Sequence, residues 1–349
     1  MKIVIDAMGG DHAPLEIVRG ALQGAKDFDA DIVLTGREDD IMKALHDCGE
    51  SALPPRVTIR NATEVIEMCD DPAFAFRKKP DSSMTVGLNM LKDGAGDAFI
   101  SAGSTGALLS AATLIVKRVR GIRRASMAPL IPTAEGHSVL TDCGANIDCT
   151  PEYLLQFAYT GNFYARRVLG IESPKVGLLN IGAEESKGME LQRETYALLK
   201  KAAGDGQINF IGNIEAKDAM LGKADVIVTD GFSGNIMLKT IEGVGSYLKK
   251  ELKSIFLKNA KTKIAALMIK DGVTGLKKSL DPNEIGGTPF LGLSKPVFKA
   301  HGSSNARAIR NAVGQAVAFV NSGMIKDIED NIGLMTAESG KRGADGDKE

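Results

Sequence analysis

The sequence predicts a three-layer αβα protein, in which a mostly parallel sheet carries helices on both faces. Three observations carry that prediction. Short apolar runs alternate with longer stretches of helical periodicity, the pattern of β-α-β units. Several apolar runs end in a loop of Gly mixed with Asp, Asn, Ser, His or Lys that leads straight into a helix start. The composition, 44% hydrophobic and 25% charged over 349 residues, is that of a globular chain long enough to bury a large core.

Taken in order, residues 2–6 form the first strand. Pro14 suits the first turn of a helix running to about residue 28, with Asp11 or His12 near its cap. A strand over 31–35, a helix over 37–48 and a strand over 57–60 follow. A helix over 84–92 leads into the run Phe99-Ile-Ser101, and the next helix begins at Thr105. Residues 129–132 and 137–142 read as a hairpin that extends the sheet antiparallel, a position suited to a dimer contact. Helices are then expected over 151–169 and 189–202, strands over 175–181, 208–211 and 224–229, a long helix after Asn235, and a final helix over 305–320. From about residue 336 the chain is too polar to pack and reads as a disordered tail. The expected organisation is one two-lobed domain over 1–335.

Several function classes are disfavoured. A net charge of −1, no Trp and 5% aromatics do not suit nucleic-acid binding. Cys48, Cys69, Cys143 and Cys149 form no CxxC pair and read as reduced thiols. No apolar run reaches the ~20 residues that span a bilayer, and the start is not signal-like, so a cytoplasmic protein is expected. No G-x-G-x-x-G or P-loop follows a strand, so no nucleotide cofactor is expected. Asp6, Asp11, Asp142 and Asp230 lack metal-ligand spacing, and no metal is expected.

Five loops share one design, those around His12, Ser101, Asn146, Lys187 and Asn235. In a parallel sheet such loops leave the same edge, where ligands bind. The Ser101-Ala-Gly-Ser-Thr-Gly106 loop has little side-chain bulk. Its backbone N–H groups can approach an anion at a helix N-terminus, and Ser101, Ser104 and Thr105 add hydroxyls beside Gly103 and Gly106.

Five segments together resemble the PlsX family, bacterial acyl-carrier-protein:phosphate acyltransferases of phospholipid synthesis. They are Ile5-Asp-Ala-Met-Gly-Gly-Asp-His-Ala-Pro14, Ser101–Gly106, Asn180-Ile-Gly-Ala-Glu-Glu-Ser-Lys-Gly188, Thr229-Asp-Gly-Phe-Ser-Gly-Asn235 and Lys299-Ala-His-Gly-Ser303. They occur in the family's order over roughly residues 1 to 325. Ser104 stands where Asn is expected, and still offers a donor. The resemblance implies a homodimer with an isocitrate dehydrogenase-like, phosphotransacetylase-like fold. It also implies a reaction in which inorganic phosphate attacks the thioester of a long-chain acyl carrier protein. In that setting Lys187 and the Ser101 loop form the phosphate cradle. Asn235 serves the oxyanion, and His12 or His301 is a candidate donor to the leaving thiol. Asn146, Asp230, Ser233 and His301 complete the expected substrate contacts. An acyl-cysteine route through Cys143 is the minor alternative. Competing readings are a dehydrogenase of the same fold and a non-catalytic carrier-protein or membrane scaffold.

One further segment stands out. Residues 249–278 hold nine lysines against Glu251 and Asp271. Leu248, Leu252, Ile255 and Phe256 recur at helical spacing, as do Ile264, Leu267 and Met268. A basic amphipathic segment over about 245–280 suits an anionic bilayer or an acidic carrier protein, through Lys261, Lys263, Leu267 and Met268. Such a surface would also place the enzyme near a downstream glycerol-phosphate acyltransferase at the membrane.

Overall fold

The computed structural model describes residues 1–279 and 281–336, so the expected tail lies outside the described residues apart from Thr336. In chain order the strands are β1 (Lys2–Asp6), β2 (Asp31–Gly36), β3 (Val57–Asn61), β4 (Ala98–Ser101), β5 (Ser126–Met127) and β6 (Leu130–Thr133). They continue with β7 (Gly136–Thr141), β8 (Lys175–Leu179), β9 (Asn209–Ile214), β10 (Val226–Val228), β11 (Gly287–Leu291) and β12 (Val297–Ala300). They build two sheets, in place of the single sheet edge expected to gather all the loops. One has the order β3-β2-β1-β4-β12-β11-β5 and the other β6-β7-β10-β8-β9. Neighbours from β3 through to β12 in the first, and from β7 through to β9 in the second, run parallel. The hairpin forms as expected, but only β6 is the antiparallel edge; β7 pairs in parallel with β10.

Alternation along the central strands divides the core. Ile3 and Ile5, Ile32 and Leu34, and Ala98 and Ile100 face one apolar cluster. Val4, Val33 and Phe99 face another. The first cluster also takes Val139, Val176, Leu178, Val226 and Val228 from the second sheet, so one core joins both sheets. Helix Leu15–Asp27 lies directly on helix Ala306–Ser322. A Cβ at Gly20 would stand 2.4 Å from the Ala306 carbonyl oxygen, so glycine permits this approach.

Helix starts follow local chemistry. Ser82, Ser104, Thr150, Asp230 and Asn305 each cap a helix by accepting a backbone N–H, and Pro151 opens its helix behind Thr150. The first helix departs from expectation. Neither Asp11 nor His12 caps it by a side chain; Pro14 occupies the cap position, and the His12 carbonyl accepts the Glu16 N–H. Strands β11 and β12 are absent from the sequence expectation. Pro289 interrupts the apolar run of β11, and Lys299 sits inside β12.

Candidate active site

Three loops of the first sheet meet at the C-terminal ends of β1, β4 and β12. The pairing sets Asp6 opposite Thr35, Ile5 opposite Ile100, and Lys299 opposite Ser101. Asp6, Ser101 and Lys299 therefore form a row across three neighbouring strands. All three are buried. The Ser101 hydroxyl donates to Asp6 Oδ2 at 2.7 Å and accepts the Gly103 N–H at 3.0 Å. Its bonding is thus internal, bracing the loop from below. Burial raises the Asp6 carboxyl above its ordinary range, against hydrogen bonds from Ser83, Ser101, Met8 and Gly9.

The loops above this row touch backbone to backbone. A Cβ at Gly9 would lie 2.6 Å from the Gly103 nitrogen, so the two chains meet only because glycine stands there. The Asp11 N–H donates to the Gly302 carbonyl at 2.8 Å. Ser104 caps helix Thr105–Ile115, Thr105 and Gly106 are half-buried at its first turn, and Pro72 lies against Gly106. His12 and His301 stand exposed on this rim. The His301 Nδ1 receives the Ser303 backbone N–H at 3.2 Å. A backbone amide only donates, so Nδ1 is the acceptor and the ring proton resides on Nε2. Partial desolvation of the ring, on a residue otherwise exposed, lowers the His301 pKa, with Lys239 and Lys299 acting the same way and Glu242 and Asp11 opposing.

Loops of the second sheet make a companion cluster. Asp142 accepts N–H groups from Met127 (2.8 Å), Cys143 (2.7 Å) and Asn146 (2.6 Å), and the Asn146 side-chain amide at 3.0 Å. Burial still pushes its carboxyl up to about 6. Asn146 is spent on this turn, its amide also reaching the Ala125 carbonyl. Asp230 caps helix Gly231–Leu257 through the Ser233 N–H and also accepts the Ser233 hydroxyl, both at 2.8 Å. Asn235, one turn on, is exposed beside Gly144, and its side chain bonds no other described residue. Lys187 ends the β8 loop. Its carbonyl accepts the Asn180 amide at 3.1 Å, while its ammonium has no carboxylate partner among the described residues. The neighbouring Glu185 pairs with Lys200 instead, at 2.9 Å.

Helix Gly231–Leu257 links the clusters. Its Lys239 lies near enough to act on His301, Lys299 and Cys143, and its Glu242 on His301 and Cys143. Strand β5 ties them from below, through Ser126 to Thr141 at 2.9 Å. Among the described residues no hydrogen bond or ion pair joins Lys187 to Asn235, or either to the Ser101 loop. Burial raises the Cys143 and Cys149 thiols to about 12, far from a thiolate nucleophile. Among the described residues no group of three His, Cys, Asp or Glu gathers as a metal site.

Sequence reasoning missed Lys299 as an individual residue. A lysine within the run Val297-Phe-Lys-Ala300, rich in strand-forming residues, was the available signal.

The basic segment departs from an ordinary core stripe. Helix Ala260–Met268 buries no residue, and Leu267 and Met268 are 70% and 83% exposed. No helix among the described residues is long and apolar enough to cross a membrane.

A family model described as a fatty acid synthesis protein matches residues 1–327. The phosphate acyltransferase of Thermoanaerobacterium thermosaccharolyticum is 46% identical over 335 residues, 96% of this chain and 98% of that protein. The one from Clostridioides difficile is 44% identical over 340 residues, covering 97% and 98%. Among solved structures, a Streptococcus pyogenes phosphotransacetylase superposes with a TM-score of 0.61 at 21% identity, covering 92% of this chain and 94% of that one. A Salmonella typhimurium protein described as a putative 4-hydroxythreonine-4-phosphate dehydrogenase reaches 0.54 at 13% identity, covering 91% and 98%. These last two likenesses bear on the fold, and they match the α/β architecture read from the strand order. With near-complete coverage by close relatives of one name, the chain belongs to the PlsX family and is a phosphate acyltransferase.

Proposed function

We propose that this acyltransferase takes a long-chain acyl group from the thioester of acyl carrier protein and yields an acyl phosphate for phospholipid synthesis. A phosphate oxygen attacks the thioester carbonyl carbon, the C–O bond forms, the C–S bond breaks, and the carrier thiolate departs with the electron pair. Phosphate is nucleophilic at neutral pH, so the protein's task is to hold it, orient it and stabilise the oxyanion. Backbone N–H groups of the Ser101–Gly106 loop hold the phosphate, with Lys187 neutralising its charge. Asn235 donates its free amide to the oxyanion, and His12 and His301 line the rim. Asn146, Asp230 and Ser233 shape the turns that set Asn235. The whole acts as one two-lobed catalytic unit over 1–335, a homodimer in the cytoplasm that docks peripherally on anionic membrane beside the next acyltransferase.

The observation that carries this reading is the meeting of the glycine-lined loops after β1, β4 and β12 over the buried row of Asp6, Ser101 and Lys299. The test is incubation with acyl carrier protein thioester while free thiol is followed. Thiol release must depend on inorganic phosphate and produce acyl phosphate. Release at the same rate without phosphate, or none with it, rejects the reading.

A further inference from the structure

Lys299 is the one buried lysine among the described residues, 8% exposed, and the row it belongs to gives it no ion-pair contact. Asp6, two strands away, is committed to the Ser101 hydroxyl at 2.7 Å and to the Met8 N–H at 3.1 Å. Among the described residues no carboxylate lies within ion-pair range of the Lys299 ammonium. Two of its three N–H bonds go to backbone carbonyls, that of Ala102 at 3.2 Å and that of Ala300. Ala102 opens the glycine loop after β4, and Ala300 ends β12 just before the loop of Gly302. The third N–H has no partner among the described residues.

An ammonium taken from water and left without an anion is costly, and proteins seldom keep one without a use for it. We propose that Lys299 is the buried cation with which inorganic phosphate pairs, so that phosphate binding is coupled to a full charge on this lysine. The inference rests on the acyl-transfer reading above and names the group beneath the phosphate that completes its cradle.

A consequence can be measured. Burial lowers the Lys299 pKa to about 8; Lys239 acts the same way, while Asp6 and Asp11 oppose it. Above that pH the lysine is largely neutral. A phosphate dianion beside it raises the pKa again, so binding takes up a proton. At about pH 8.5, above that value, this group takes up a substantial fraction of a proton on binding. Arginine would hold its charge throughout and show no such uptake.

The experiment is calorimetric titration of the full chain with inorganic phosphate at about pH 8.5, in two buffers of different ionisation enthalpy. Thermal melts with and without phosphate accompany it. Wild type should take up a substantial fraction of a proton per phosphate. Lys299→Arg should bind phosphate without that uptake. Lys299→Met should melt within a few degrees of wild type when phosphate is absent, bind phosphate at least tenfold more weakly and lose the phosphate-induced rise in Tm. Uptake that persists in Lys299→Arg comes from the phosphate itself or another group, and overturns the proposal. A Lys299→Met protein that melts far lower yet keeps its phosphate-induced rise shows a carbonyl clamp only, and overturns it equally. If wild type releases thiol in a phosphate-dependent way and Lys299→Met does so equally well at pH 7, this inference fails and the functional reading stands. If wild type neither binds phosphate nor releases thiol, both fall.

Discussion

Lys187 and His301 offer the sharpest tests at the scale of single residues. The Lys187 ammonium has no carboxylate partner among the described residues although Glu184 and Glu185 are close in sequence, and Glu185 is held by Lys200. A free cation on a loop pinned through Asn180 is positioned for an anionic ligand more than for stability. Lys187→Ala should lower kcat/KM by about two to three orders of magnitude while the melting temperature stays put. Near-normal activity with unchanged phosphate dependence would remove it from the site. His301 calls for a different experiment, because Nδ1 is occupied by the Ser303 N–H and the ring is held neutral. In this form it donates from Nε2 and is a poor general acid. Protonation would place a second donor against the Ser303 amide, so the acid limb of a His301-dependent rate lies below the ordinary histidine range. His301→Gln keeps a donor near the Nε2 position and should retain most activity, whereas His301→Ala should not. Equal losses in the two variants would instead indicate proton transfer by the ring.

At the scale of elements, helix Gly231–Leu257 decides how the second cluster faces the first. Its start is held by Asp230, which accepts both the N–H and the hydroxyl of Ser233 at 2.8 Å. Asp230→Ala should cost about 1 kcal/mol of stability, read as a lower denaturant midpoint, and should reduce turnover further by loosening the turn that carries Asn235. Asp230→Asn retains one acceptor and should lose less on both counts. A long helix here was legible in sequence behind an apolar strand and a Gly-rich polar turn. Its start was not: it was expected after Asn235, whereas the Asp230 cap begins it at Gly231. The loops around Ser101 and Lys187 were legible from the same strand-and-turn pattern. What the local pattern could not reveal was long-range. The Asp6, Ser101 and Lys299 row exists because β12, almost 200 residues later in the chain, inserts beside β4. Pro289 and Lys299 obscured β11 and β12 by breaking the apolar runs. The division of strands between two sheets is likewise set by pairing across the chain, where β7 joins β10 and not the first sheet. Residue type alone suggests Ser101 and Asn146 as ligand donors. Their hydroxyl and amide instead meet buried partners, Asp6 and Asp142, that only the fold brings to them.

On the scale of the whole molecule, charge and apolar surface are distributed unevenly. The chain as a whole carries −1, yet residues 249–278 hold nine lysines against two acidic residues. None of Lys249, Lys250, Lys253, Lys258, Lys261, Lys263 or Lys270 forms an ion pair among the described residues, where the helix's salt bridge is Lys239 to Glu242. Beside them Ile264, Leu267 and Met268 are 60%, 70% and 83% exposed. Solvated lysines alone would need no such neighbours, and a core stripe would be buried. Exposed apolar side chains flanked by unpaired cations match an anionic lipid surface, where the apolar groups enter the acyl boundary and the lysines stay with the headgroups. The proposed site includes the start of helix Gly231–Leu257 and this segment follows its end, so one element would connect the two. Wild type should co-sediment with vesicles containing anionic lipid and leave them as ionic strength rises, because screening weakens the lysine contribution. Leu267→Glu adds a charge that opposes both attractions and should abolish most of that binding, while turnover of the soluble thioester continues. Undiminished co-sedimentation of Leu267→Glu would show that lipid contact lies elsewhere. Retained vesicle binding with a collapse of turnover on acyl carrier protein would mark the segment as the dock for the carrier, whose acidic surface would engage the same lysines.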